Sequence, residues 1–159
     1  TRGLFEKRAV ASFLTGEPEY LDPLKDETPA GWIVTGYPWY DVKIAEHAAF
    51  LKAYQAKYND YPRLGSVVGY MTMKSAAAII AKAGSTDTDK MIAAAKGLEV
   101  PSPFGKIVFR ASDGQSTLGA FVGKTAVKDG KGVMVDSVYR DGAAYMPSED
   151  MVKALRPAD

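Results

Sequence analysis

Apolar positions form short runs near the start of this chain, helical spacings through its middle and alternations toward its end. Gly3-Leu4-Phe5-Glu6-Lys7 reads as the last turn of a helix. Ala9 to Leu14 is an apolar run flanked by turn residues, the pattern of a buried strand. Thr15-Gly16-Glu17-Pro18-Glu19 breaks it, and residues 20–30, with two prolines and mixed charges, predict a loop with one helical turn. Gly31 to Gly36 is a second strand, with Tyr37-Pro38-Trp39-Tyr40 as its exit loop. Residues 44–58 predict an amphipathic helix whose stripe is Ala45, Ala48, Ala49, Leu51, Tyr54 and Tyr58. Asp41 is placed to cap it, and Pro62 ends it, because the residue before a proline avoids helical dihedrals. Residues 67–83 predict a second helix stopped by Gly84, and Thr86 or Asp87 caps a third that runs to about Lys96.

The texture then changes to strands. Lys106 to Arg110 is followed by Ser112-Asp113-Gly114-Gln115, a hairpin signal, since Asp-Gly supplies the positive φ angles of a tight turn. Leu118 to Val127 is the return strand. A second Asp-Gly turn, Lys128 to Lys131, leads into a strand over Gly132 to Val138, and Ser148 to Leu155 suits a short terminal helix. Two α/β units followed by a β-meander give an α/β architecture with an antiparallel addition.

The 159 residues suit one domain, long enough to hide roughly 70% of the unfolded surface. Composition is that of an ordinary globular chain, with 47% hydrophobic and 25% charged residues. Residues 1–60 carry 7 basic and 9 acidic side chains and residues 61–159 carry 13 and 10, a net −2 and +3. Neither part is basic enough to hold a phosphate backbone, which excludes nucleic acid as the expected partner. There is no cysteine, so thiolate chemistry and cysteine-based metal sites are excluded. No uninterrupted apolar run approaches the roughly 20 residues of a membrane span. The start, Thr1-Arg2-Gly3-Leu4, lacks Met and reads as the interior of a longer protein.

Catalytic motifs are scarce. His47 is the single histidine and reads as a surface residue of its helix. There is no Gly-x-Ser-x-Gly elbow, no dinucleotide fingerprint and no phosphate-binding loop. Glu17 and Glu19 lie two residues apart in a proline-bearing loop, where nothing orients them as an acid/base pair. The expectation is a protein with no chemical step, no cofactor and no metal.

Glu17 still carries interest, because ligands of open α/β sheets gather beyond the carboxyl ends of strands. It is either a solvated loop acid or a carboxylate that accepts hydrogen bonds from a ligand ammonium. Tyr70, after Gly69, is either core packing or the wall of a pocket. Trp32, Tyr37, Trp39 and Tyr40 cluster around the second strand, either as core with a loop anchor or with Trp39 or Tyr37 reaching a cleft.

Two stretches carry a family likeness. Gly69 to Gly84, GYMTMKSAAAIIAKAG, followed by Ser85-Thr86-Asp87, resembles the C-terminal half of periplasmic solute-binding proteins of the branched-chain amino acid class. Pro103 to Gln115 is similar to that family's Thr-Pro-Leu-Gly-x-Val-x-Phe-x-x-x-Gly-Gln. The likeness extends over nearly the whole chain. It implies part of a two-lobed type I fold, a three-layer α/β/α arrangement with an antiparallel hairpin addition. Residues 1–60 would be mainly the end of the second lobe, and residues 61–159 part of the first lobe with crossover hairpins. In that family an acid at the matching strand exit pairs with the ligand's α-amino group, and Phe13-Leu14-Thr15-Gly16-Glu17 fits that context with its own Thr-Gly order. The resemblance thus implies ligand contacts at Thr15, Gly16, Glu17 and Tyr70, and Trp39 in the exit loop joins them. Where relatives carry Gly-Tyr-Asp-Ala, this chain has Gly69-Tyr70-Met71-Thr72, which implies a more apolar pocket rim.

The function so implied is the extracytoplasmic solute-binding component of an ABC importer. It would close on an amino acid or another small carboxylate, aliphatic or aromatic, and present itself to a membrane permease in the periplasm. The alternative is a ligand-sensing domain of a receptor or regulator with the same fold. An N-terminal portion would supply the serine, threonine and backbone donors for the ligand carboxylate. Without it, apolar surface would stand open, to be covered by that portion or by self-association through the sheet edge.

Overall fold

A computed structural model describes residues 3–155. After a 3₁₀ turn over Leu4–Glu6, the elements are β1 (Ala11–Gly16), α1 (Pro18–Leu24), β2 (Ile33–Gly36), α2 (Ala45–Tyr58), α3 (Leu64–Ala83), α4 (Thr88–Ala95), β3 (Glu99–Ser102), β4 (Gly105–Val108), β5 (Ala120–Lys128), β6 (Lys131–Arg140) and α5 (Glu149–Leu155). Strands β1, β2, β5 and β6 form one sheet in that spatial order, and β3 with β4 forms a separate ribbon. β1 and β2 run parallel, while β2–β5 and β5–β6 are antiparallel. The fold is α/β with an antiparallel hairpin added to a parallel pair.

Local chemistry explains several boundaries. Asp129 (φ 50°) and Gly130 (φ 71°) both take positive φ, the geometry of the two-residue turn that Asp-Gly favours, and Lys128 pairs with Lys131 across it. Gly84 ends α3 in the left-handed conformation, its N–H donating to Ile80 O. Asp87 caps α4 by accepting from Lys90 N at 3.1 Å.

Other expectations are corrected. The single helical turn expected within residues 20–30 is a longer helix that starts earlier, at Pro18, and a 3₁₀ turn over Lys25–Glu27 continues it. Pro18 sits at the first helical position, where a missing N–H costs nothing, and Pro23 falls so near the end that it removes little. β1 is an edge strand rather than a buried one: Phe13 is 87% exposed. Ile44 occupies the N-cap of α2 with no side-chain cap, and Asp41 pairs instead with Lys43 at 3.1 Å. The buried face of α2 is His47 and Phe50, whereas Ala45, Ala48, Ala49 and Tyr58 face outward. β3 was not foreseen, and Pro101 and Pro103 hid it. The Asp113-Gly114 turn brings back only a single bridge, Phe109 with Ser116, because β5 takes its partners from β2 and β6.

α1 lies across the sheet against β1 and β6, and α3 packs on α4 and β3. One core unites both parts: Leu21, Val34, Tyr37, Phe50, Val67, Met71, Phe104, Phe121 and Met134. Phe104, in the Pro103-Phe104-Gly105 turn, carries the junction. Its ring meets Tyr37 at 5.6 Å and Phe121 edge-on at 5.3 Å, tying the ribbon to the sheet. Ser102 Oγ holds that turn, donating to Gly105 O at 2.6 Å and accepting from Phe104 N at 3.2 Å. α3 is long and apolar enough, by length and composition, to cross a membrane, but Val67 and Met71 belong to the shared core and Met73 lies outside it, 70% exposed.

Candidate functional site

Both parallel strands end in Thr-Gly: Thr15-Gly16 on β1 and Thr35-Gly36 on β2, with Gly16 and Gly36 opposite each other. A Cβ on Gly36 would lie 2.2 Å from Gly16 O, and one on Gly16 would lie 2.8 Å from Thr35 O. Only glycines let the two strand ends approach this closely. Before Gly16 the register slips, and Leu14 adopts φ 69°. This bulge is pinned by Leu14 N–H donating to Thr35 Oγ1 at 3.0 Å and by a short Ser12–Thr15 hydroxyl contact. Bulges re-aim the chain that follows them. Here Phe13 and Leu14 turn outward while Gly16, Glu17 and Pro18 are carried inside.

Glu17 is the N-cap residue of α1. Its N–H donates to Leu14 O at 2.9 Å, and its carbonyl accepts from Tyr20 and Leu21 at 3.0 Å each. Its side chain makes no capping bond. The residue is only 4% exposed, and Oε2 is buried with no hydrogen-bond partner among the described residues. Burial first, and the field of Glu19 second, push its carboxyl up to about 8. α1 spans only seven residues, so the favourable field of its N-terminus is weak and loses to desolvation. Glu17 is therefore not a solvated loop acid, and its burial favours the neutral carboxyl over the carboxylate.

The remaining candidates lie apart from it. Trp39 is half-buried and stacks on Tyr61, centroids 4.5 Å apart and planes 13° from parallel. With Tyr40 and Tyr61 it lines a cleft of about 360 Å³ against Asp22, Lys25 and the β5–β6 turn. Tyr40 anchors this loop to the sheet, donating to Met134 O at 2.9 Å and accepting from Met134 N at 2.6 Å. Tyr70, in the second turn of α3 and 40% exposed, walls a groove of about 790 Å³ between α2 and α3 with Phe50, Tyr54 and Tyr58. Glu17 lines neither space, so Thr15, Gly16 and Glu17 form one locus and Trp39 and Tyr70 two others.

Tyr37 follows the core alternative, whereas His47 departs from its expectation. Tyr37 does not reach a cleft: it is fully buried, and its hydroxyl meets His47 Nε2 at 2.7 Å. His47 is not a surface residue but 1% exposed, with Nδ1 unpartnered among the described residues, and burial lowers its pKa. Gly36 and Thr35, which shape the Glu17 locus, were missed as site residues. The repeated Thr-Gly at two strand ends was the signal for them.

Residues 1–131 match the sequence profile of the periplasmic binding protein family. The chain belongs to that family. No curated protein matches it. Among solved structures it is similar to an ABC-type branched-chain amino acid transporter protein from Rhodopseudomonas palustris CGA009. That match has 26% identity and a TM-score of 0.67, covering 82% of this chain and 36% of the other. An amino acid ABC transporter substrate-binding protein from Pseudomonas fluorescens Pf-5 is 21% identical with a TM-score of 0.76, over 93% and 40% of the two chains. A solute-binding protein from R. palustris HaA2, in complex with p-hydroxybenzoic acid, is 21% identical with a TM-score of 0.63, over 87% and 39%. The two latter likenesses show the fold alone. The chain spans 36% to 40% of the length of these three structures. Membership places it among the periplasmic binding proteins.

Proposed function

We propose that this chain is the C-terminal portion of the solute-binding component of an ABC importer. In this reading it contributes one wall of a ligand cleft between two lobes, and Glu17 is the polar anchor of that wall. Thr15 and Gly16 hold the anchor in place, and closure about the hinge buries the ligand and presents a surface to a membrane permease. The ligand class is an amino acid or a related small carboxylate. Relatives bound to p-hydroxybenzoate and relatives named for leucine or for branched-chain amino acids support both arms of that class. Trp39 and Tyr70 are proposed as aromatic contacts completed by the N-terminal portion.

The observation that carries this reading is the buried, unpartnered carboxyl of Glu17 at the carboxyl end of a parallel strand. Such a group is retained where a partner arrives from elsewhere. The experiment is a thermal-shift screen of amino acids and hydroxybenzoates on the full-length protein that carries this chain, wild type beside Glu17→Gln. A ligand that raises the melting temperature of the wild type and much less that of the variant is expected. Equal shifts in both proteins would remove Glu17 from the site.

A further inference from the structure

Broad packing between elements falls within two bodies. The four-stranded sheet with α1 forms one, and α2, α3, α4 and the β3–β4 ribbon form the other. The chain passes between them over residues 37–44 and 109–119. Beside the first crossing lies a directional polar tie. Tyr61, between α2 and α3, donates its hydroxyl hydrogen to Asp22 Oδ2 on α1 at 2.7 Å. Arg63, at the N-cap of α3, brings Nη2 to 3.7 Å from the same oxygen. Tyr61 and Arg63 are preset for this. The Tyr61 ring stacks on Trp39 of the crossing, and its N–H donates to Asp60 Oδ1 at 2.8 Å. The Arg63 guanidinium lies over the Tyr61 ring at 4.8 Å and donates to Asp60 Oδ2 at 2.8 Å and to Tyr61 O at 3.2 Å. Groups already held in place lose little freedom when the bond forms.

We propose that Asp22, with Tyr61 and Arg63, is a latch that holds the two bodies in the arrangement seen here. The bond is charge-assisted and short, so any rotation about the crossings that parts α1 from α3 breaks it. It is also reversible. The Asp22 side chain remains 36% exposed, so water replaces its partners when the bodies separate and no buried charge is stranded. The latch joins the two helices that carry proposed ligand contacts: α1 starts after Glu17, and α3 bears Tyr70 in its second turn. Resting on the reading of those helices as walls of the ligand cleft, the held arrangement is the ligand-holding one. Asp22 then acts on affinity as a positioning residue, by setting the population of that arrangement.

The test measures the arrangement directly and the ligand separately. Spin labels are placed on the full-length protein that carries this chain, through Lys128→Cys in the β5–β6 turn and Asp89→Cys on α4, both exposed and one on each body. Pulsed electron resonance then gives the distance between them without ligand, in the parent and in Asp22→Asn, Tyr61→Phe and the double variant. Calorimetric titration of the same proteins uses L-leucine and 4-hydroxybenzoate. Either single variant is expected to shift or broaden the distance distribution and to weaken the probe that binds by about five- to tenfold. The double variant should lose no more than a single one, because both side chains act through one bond. An unchanged distance distribution, a raised affinity or additive losses would overturn the latch. If the distances shift as expected but neither probe binds the parent, the solute-binding reading fails and the latch between the bodies stands. If a probe binds and the distances stay fixed, only the latch fails. Circular dichroism of the near-isosteric variants separates lost folding from lost position.

Discussion

Replacing Glu17 by glutamine is expected to stabilise the ligand-free protein at neutral pH. The folded carboxyl titrates near 8, against an ordinary 4.5. An acid whose folded pKa is raised costs nothing below the unfolded value, and its cost grows as pH climbs between the two. At pH 7 the interval is 7 − 4.5 = 2.5 units, which at about 1.4 kcal/mol per unit is an upper limit of about 3.4 kcal/mol. Residual solvent screening near the strand end reduces this to about 2 kcal/mol. Glutamine keeps the shape and the hydrogen-bonding character of the neutral acid and has no proton to lose, so it escapes the cost. For a protein of 150 to 250 residues, about 2 kcal/mol is roughly 4–8 °C in melting temperature. The assay is thermal unfolding of both proteins without ligand, at pH 4.5 and at pH 7. The gap should be near zero at the lower pH and open at the higher one. A variant less stable at pH 7, or a gap that ignores pH, would refute a neutral, uncompensated Glu17.

Gly36→Ala is expected to cost about 3 kcal/mol, because its Cβ meets backbone at 2.2 Å and backbone cannot rotate away, and the urea midpoint reads the loss. The same substitution should blunt any ligand-induced thermal shift, since it parts the two strand ends that position Glu17. Tyr37→Phe removes the partner of His47 Nε2 and leaves both ring nitrogens unpaired, a cost of about 1–3 kcal/mol measured by urea unfolding at pH 7. His47 is held neutral by burial, so stability should fall as pH drops below 6.5 once the opposite dependence of Glu17 is removed, and urea midpoints of Glu17→Gln at about pH 5 and 7 check that direction. Asp87→Ala should cost about 1 kcal/mol through its bond to Lys90 N, and Asp87→Asn should restore most of it in the same assay.

Where structure depends on neighbours in sequence, the chain was readable. Asp129-Gly130, Gly84 and Asp87 each meet a local backbone demand, and each occurs where the pattern put it. Phe13 and Leu14 show the limit. An apolar run predicts a strand, but whether that strand lies inside a sheet or at its edge depends on residues more than twenty positions away. The partners of β5 are likewise non-local: Asp113-Gly114 advertised a hairpin with β4, and β2 and β6 took the strand instead. His47 looked solvated because one residue in a helix says nothing of the turn it faces. Tyr37, ten positions earlier, decides that. Glu17 was legible as a candidate from its place after a strand, whereas its burial required the bulge and the paired glycines, which only the fold displays.

The bulge in β1 sets two things at once. It turns Phe13 and Leu14 toward open space, and it turns Glu17 inward. In the proposed reading, an apolar edge beside a buried acid is a surface that an N-terminal portion would cover. Covering alone does not help the acid. More apolar contact over β1 removes more water, and the cost of charging Glu17 rises. The cost falls only if the covering surface or the ligand brings a positive charge to Oε2. These two sources make opposite predictions for the full-length protein without ligand. A cation built into the other lobe would return Glu17 to an ordinary carboxylate and erase the pH-dependent gap between wild type and Glu17→Gln. A cation that arrives only with the ligand leaves the gap in place until ligand is added, and then closes it. The second pattern is what an anchor left uncompensated in the free state requires.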